Sequence, residues 1–130
     1  MEDLEKLKNE IENIYGFSNL KKNWDSYNAD TISQTAIDTA IEILNILYIN
    51  ELLTSRFTVN VFPMRDGGIQ FEFDGKIICA ELEISSNGDT TFILFDDNGD
   101  VVEKEQVFAE FRDSERILSD KYIKLLKNEI

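Results

Sequence analysis

The sequence predicts an α+β fold with two N-terminal helices, a five-stranded antiparallel meander and a C-terminal helix. Three observations carry this. The hydrophobic period changes twice, being helical over residues 1–56, two-residue over 57–106 and helical again over 107–130. Turn chemistry punctuates the middle zone at Asp66-Gly-Gly68, Asp74-Gly75, Asn87-Gly88 and Asn98-Gly99. Six of the nine phenylalanines fall in that zone, where aromatic side chains suit a pleated, half-buried surface. A chain of 130 residues predicts one domain, burying about two-thirds of its unfolded surface.

The elements follow in order. Leu4, Leu7, Ile11 and Ile14 recur at three- and four-residue steps, predicting an amphipathic helix over 3–15 ended by Gly16. The polar stretch Asn23-Trp-Asp-Ser-Tyr-Asn-Ala-Asp30 reads as a loop. A second helix, about 33–50, starts either in a Thr31-x-x-Gln34 capping box or at a Ser33 cap. Its stripe of Ile37, Ile41, Leu44 and Tyr48, widened by Ala36, Ala40, Ile43 and Leu47, makes it the helix expected to be most buried.

Strands are predicted over 57–63, 68–74, 76–84, 90–96 and 101–106, with Pro63 confined to a strand end or edge because it lacks an N–H. Type I′ turns of two residues at the Asn-Gly pairs would set Leu82 opposite Ile93 and Phe95 opposite Val102. The expected core face is then Ile69, Phe71, Phe73, Ile78, Ala80, Leu82, Ile84, Ile93, Phe95 and Val102. The other face would combine Glu72, Asp74, Glu81, Glu83, Glu103 and Glu105 with a stripe of Ile77, Cys79, Phe92, Leu94 and Val101. Such a mixed face is expected to be covered in part by the C-terminal helix, or else to receive a partner. That helix is drawn from Phe108, Phe111, Ile117, Leu118, Tyr122, Leu125 and Leu126, with a break near Asp113-Ser114.

Composition excludes much chemistry. With no histidine, Ser-His-Asp and Cys-His nucleophile arrangements are absent, as is the commonest general base and metal ligand. The single cysteine, Cys79, supports neither an intrachain disulfide nor a structural zinc site. Without histidine or a nearby arginine it lacks what activates a thiolate. Asp96-Asp-Asn-Gly-Asp100 opens like a calcium loop, but Val101 and Val107 stand where that loop requires glycine and glutamate. A hairpin turn accounts for those residues. Asp66-Gly-Gly68 lacks the lysine and spacing of a phosphate loop. Glu72 and Glu81, on neighbouring strands, could stand close enough for a carboxylate pair, yet an open sheet face offers no sign of a cleft, so solvated carboxylates are the plainer reading. No cofactor, metal or enzymatic activity is expected.

The formal charge of −13 disfavours direct contact with nucleic acid or anionic membranes and suits either solubility or a basic partner. It is unevenly spread: −5 over 1–56, −8 over 57–106 and zero over 107–130. No secretory signal or long apolar run is seen, so a cytoplasmic location is expected.

The Trp24-Asp-Ser-Tyr27 loop holds the only tryptophan. Its indole either plugs the core edge while Asp25 caps a turn, or the two aromatics present a hot spot to a partner or small ligand. The segments Asn23-Trp-Asp-Ser-Tyr-Asn-Ala-Asp30 and Asp66-Gly-Gly-Ile-Gln-Phe-Glu-Phe73 together resemble a group of small uncharacterised bacterial proteins. Members of that group typically show Trp-Asp-Gly-Tyr, a helix, and Asp-Gly-Gly-(Val/Ile)-x-x-Glu-(Trp/Phe). The likeness covers roughly residues 20–84, with Ser26 in place of the usual glycine and Phe73 where tryptophan is frequent. It implies a bacterial or mobile-element origin and supplies no mechanism.

The leading expectation is a non-enzymatic acidic interaction module of inhibitor, immunity or antitoxin type, binding a basic protein surface. Its site would comprise Glu72, Glu81, Glu83, Glu103 and Glu105 with Phe92 and Leu94. Two alternatives differ in class. One is a small-ligand sensor built on Trp24, Asp25 and Tyr27 beside Arg65 and Asp66; the other is a DNA mimic whose carboxylates stand in for phosphates.

Overall fold

A computed structural model describes residues 2–54, 58–76, 79–111 and 117–128. Helices α1 (Glu2–Gly16) and α2 (Gln34–Ile49) precede strands β1 (Thr58–Pro63), β2 (Ile69–Asp74), β3 (Cys79–Ile84), β4 (Thr90–Phe95) and β5 (Val101–Val107). Helix α3 (Asp120–Lys127) follows, and two 3₁₀ turns occupy Phe17–Asn19 and Ala109–Phe111. The five strands form one antiparallel sheet in sequence order. This is the predicted α+β meander. Phe57, Ile77, Ile78 and the break near Asp113-Ser114 lie outside the described residues.

Local chemistry explains the helix ends. Ser33, not Thr31, caps α2: its hydroxyl accepts from Ala36 N at 3.0 Å while donating to Ser86 O at 2.6 Å. At the other end Glu51 takes φ +60°, the conformation usually left to glycine. The turn is closed by Glu51 N donating to Tyr48 O and Leu52 N donating to Leu47 O, and Leu52 is fully buried. Gly16 ends α1 in right-handed geometry, so the chain runs on through a 3₁₀ turn that buries Phe17.

All three helices lie over one sheet face. α1 packs on α2, which crosses β2 and β3. Ile37, Ile43, Leu44 and Leu47 of α2 share one core cluster with Ile69, Phe71, Phe73, Ala80, Leu82 and Ile84 of the sheet, and Ile117, Tyr122, Ile123 and Leu126 join it from the C-terminal segment. Phe92 stacks on Tyr122 with ring centroids 4.0 Å apart, which docks α3 over β4 and β5.

The structure corrects the register expected at β4. Leu82 pairs with Phe92, not Ile93, and Phe95 pairs with Val101, not Val102. The cause is the turns. Ser85 N donates to Asp89 O and Gly88 N to Ser85 O, with Gly88 at φ +91°. That is a three-residue loop, a type I turn followed by a left-handed glycine, one residue longer than a type I′ turn. Asp96–Asp100 repeats it with Gly99 at φ +82°, and Met64–Gly68 with Gly67 at φ +91°. One extra loop residue moves every β4 side chain to the opposite face. Phe92 and Leu94 therefore face the helices, while Ile93 and Phe95 face away. A bulge between Leu94 and Phe95 restores the phase expected for β5 beyond it and leaves Val102 60% exposed rather than in the core.

Candidate functional site

The face turned away from the helices is built from alternate residues of each strand. By register it carries Asn60 and Phe62 on β1, Gln70, Glu72 and Asp74 on β2, and Cys79, Glu81 and Glu83 on β3. Thr91, Ile93 and Phe95 follow on β4 and Lys104 on β5. Among the described residues no helix packs on it. Four carboxylates thus share two neighbouring central strands, and Glu72 stands directly opposite Glu81. Burial, then the charges of Glu83 and Glu72, push the Glu81 carboxyl above its ordinary value. Burial, followed by Asp74, Glu81 and Glu72, likewise pushes the Cys79 thiol up, which opposes thiolate formation. Ile93, flanked across the ladder by Glu81 and Lys104, is only 8% exposed and stands outside the main core cluster. A shallow cleft of about 400 Å³ opens at one end, lined by Lys76, Cys79, Glu81, Phe95 and Asp97 among others. Among the described residues no group of three or more acidic or cysteine side chains could hold a metal ion.

The predicted carboxylate set is split. Glu72, Glu81 and Glu83 share the open face, whereas Glu103 and Glu105, with Phe92 and Leu94, belong to the helix side. There Lys121 pairs with Glu103. Desolvation and then the carboxylates of Glu105 and Glu103 push the buried Tyr122 phenol well above its ordinary value of 10.0. The C-terminal helix thus lies beside the two carboxylates on β5, pairing with Glu103 and leaving Glu105 exposed, on the side opposite Glu72, Glu81 and Glu83. The misplacement follows entirely from the β4 turn, whose extra residue no two-residue Asn-Gly template reveals.

The tryptophan loop is a closed hydrogen-bonded knot. Trp24 Nε1 donates to Asp30 O at 2.8 Å. Asp25 Oδ1 accepts from Tyr27 N at 2.8 Å and from Ala29 N at 3.1 Å, and its Oδ2 pairs with Arg65 Nε at 2.8 Å. Arg65 also donates to Tyr27 O and lies 5.9 Å from the Tyr27 ring centroid. Asn23 Oδ1 accepts from Asn28 N at 2.8 Å. Asp30 N donates to Arg65 O and Ser33 N to Gly67 O, tying the knot to the β1–β2 turn. Asp66 does not reach the aromatics; its carboxylate accepts from Gly68 N at 3.0 Å. Sequence reading missed Asn23, Ser26 and Asn28, all held at φ between +66° and +68°. Asparagine at two of those positions was the available signal, since it tolerates left-handed backbone better than most residues.

Two expectations follow. Ser26, where the resembling proteins carry glycine, has φ +66° and an exposed side chain. Ser26→Gly should therefore stabilise the fold by about 0.5–1 kcal/mol, read as a higher urea midpoint at unchanged slope; a lower midpoint would show the loop is unstrained. Burial tends to raise the Asp25 carboxyl, but its bonds from Tyr27 N and Ala29 N and the Arg65 charge prevail and hold it below 3.8. A carboxyl depressed in the folded state contributes stability above its unfolded value and loses it as pH falls through the folded one. The stability difference between wild type and Asp25→Asn should accordingly be full at neutral pH and shrink below 3.8; a difference constant through acid would deny the carboxylate this role.

The fold and these surfaces define a class: a small α+β protein whose sheet has one helix-covered face and one acidic face. Comparison of the chain with protein-family models, curated proteins and solved structures finds no match.

Proposed function

We propose that the protein is a non-enzymatic interaction module whose acidic sheet face receives a basic protein surface, in an inhibitor, immunity or antitoxin-like role in a bacterial cytoplasm. One observation carries the reading: Glu72 faces Glu81 across β2 and β3, with Asp74 and Glu83 on the same side. Like charges directly opposite one another cost a sheet stability. A fold that keeps them on its central strands gains when cationic side chains dock there, because the partner relieves repulsion already present in the free protein. The sensor reading has less behind it, since the indole N–H, the Asp25 carboxylate and the Arg65 guanidinium are all engaged within the loop. The DNA-mimic reading is weakened by the division of its five carboxylates between two faces.

The test is co-purification from a bacterial host at low salt, with Glu72→Gln, Glu81→Gln and Glu83→Gln combined as the variant. Wild type should retain one basic partner in stoichiometric amount, with association at least about tenfold slower in high salt. The triple variant should lose that partner while becoming more stable by a few tenths to about 1 kcal/mol. No stoichiometric partner at low salt, or equal retention by the variant, would overturn the reading.

A further inference from the structure

We propose that Asn98 is a self-modifying site, where the backbone nitrogen of Gly99 attacks the asparagine side chain and converts it, over time, to aspartate and isoaspartate. The inference needs no partner and concerns the loop joining β4 to β5.

The reaction uses asparagine, the amide that follows it and water. The Gly99 nitrogen gives up its proton and bonds to Asn98 Cγ, while the side-chain nitrogen takes up a proton and leaves as ammonia. A cyclic imide results. Water then adds to one of its carbonyl carbons and breaks that carbon's bond to the ring nitrogen. Opening at Cγ leaves aspartate; opening at the main-chain carbonyl leaves isoaspartate, whose chain runs through Cγ. Glycine suits the attacking position because it has no β-carbon to crowd the ring.

The fold leaves this pair free to react. Asn98 and Gly99 are both exposed, and a β-carbon on Gly99 would meet nothing within 4 Å. The Asp96 carboxylate accepts from Asn98 N and from Asp100 N at 2.9 Å each, so the loop closes without the Asn98 side chain. Among the described residues that side chain has no hydrogen-bond partner. One turn bond restrains the nitrogen, Gly99 N to Asp96 O at 3.0 Å, and such a bond in an exposed loop opens at little cost.

The other Asn-Gly pair sits in a loop of the same shape and is held. Gly88 N likewise donates to Ser85 O at 3.0 Å. There, however, the Ser85 hydroxyl donates to Asn87 Oδ1, which also accepts from Asp89 N at 3.2 Å. Gly88 is buried as well. The two loops differ at their first residue: the hydroxyl of Ser85 recruits its asparagine, whereas the carboxylate of Asp96 takes over its work. Conversion at Asn98 adds a negative charge beside Asp96, Asp97 and Asp100. Isoaspartate also lengthens by one carbon the loop that sets Phe95 against Val101, which should loosen β5 at that end.

The experiment ages the intact protein in mildly alkaline buffer, which favours loss of the glycine amide proton. Fragment-ion mass spectrometry assigns the amide-to-acid mass gain to position 87 or 98. Asn98 should convert at least about tenfold faster than Asn87, the factor that two further hydrogen bonds of ordinary strength supply. In concentrated urea the two should convert at equal rates. Ser85→Ala should speed conversion of Asn87 several-fold and leave Asn98 unchanged. In the isoaspartyl product, β5 amides next to the loop should exchange faster than in fresh protein. Folded-state conversion of Asn87 as fast as Asn98, or of neither while the unfolded chain reacts, would overturn the proposal. So would a preference for Asn98 that persists in urea.

Discussion

Gly68→Ala is expected to destabilise the protein by at least about 3 kcal/mol and to lower its melting temperature by roughly 10–15 °C. A β-carbon on Gly68 would stand 2.1 Å from Ile84 O and 3.2 Å from Asp66 Oδ1. The first contact is with backbone at the end of the β2–β3 ladder, where Ile69 pairs with Ile84, so it cannot be relieved by rotating a side chain. Asp66 is equally committed, because the oxygen in question accepts from Gly68 N. Relief would have to separate the strand ends or displace the turn, and the turn is tied to α2 through Ser33 N and Gly67 O. Gly99→Ala is the control. Its β-carbon meets nothing within 4 Å, so only the strain of φ +82° remains, about 1–2 kcal/mol. Thermal unfolding of the two variants side by side tests the claim, and a Gly68→Ala protein melting within 2 °C of wild type would refute it.

Phe92→Ala should cost about 3–5 kcal/mol, the range for emptying a large aromatic site in a core. Phe92 is 3% exposed, stacks on Tyr122 at 4.0 Å and lies 6.3 Å from Phe73. Its loss removes the main aromatic contact between sheet and α3, so amides of α3 should exchange faster even where the sheet remains protected. Phe62→Ala, on the open face at the edge, should cost less than about 1 kcal/mol. The pair of variants discriminates the two registers, because the phase expected from two-residue turns would put Phe92 on the exposed side. Denaturant unfolding that ranked Phe62→Ala as the costlier change would reverse the assignment of faces.

Much of the architecture was legible because local chemistry expresses it directly. The spacing of Ile37, Leu44 and their neighbours marks α2, and the glycine turns mark every strand boundary between Met64 and Val101. Alternation also puts Phe71 and Phe73 on the face of Ala80 and Leu82, and the structure supplies the pairing, Phe71 with Leu82 and Phe73 with Ala80. The β4 register was not legible, since two-residue and three-residue loops can share one Asn-Gly pair and differ only in which position glycine takes. At Ser85–Asp89 the Ser85 hydroxyl and the Asn87 side chain both bind Asp89 N, bonds that suit the longer loop. β4 offered no correction by itself, for Phe92-Ile-Leu-Phe95 is apolar in both phases.

The candidate site divides along the same line. Its charge was plain in the sequence, with eight of the thirteen excess negative charges lying in 57–106. Glu72, Glu81 and Glu83 stand together because their strands were phased correctly. Glu103 and Glu105 separate from them because β4 carries the extra loop residue between. The Trp24 loop was legible as a turn-rich segment, but its closure by Arg65, from 38 residues beyond Tyr27, was not.

Composition and periodicity alone determine an acidic, histidine-free α+β chain, because burying apolar stripes and turning at glycines are local demands. Tertiary structure decides which carboxylates share a face and what Arg65 holds. Those depend on single-residue phase and on partners distant in sequence, where neighbouring side chains carry no record of the outcome.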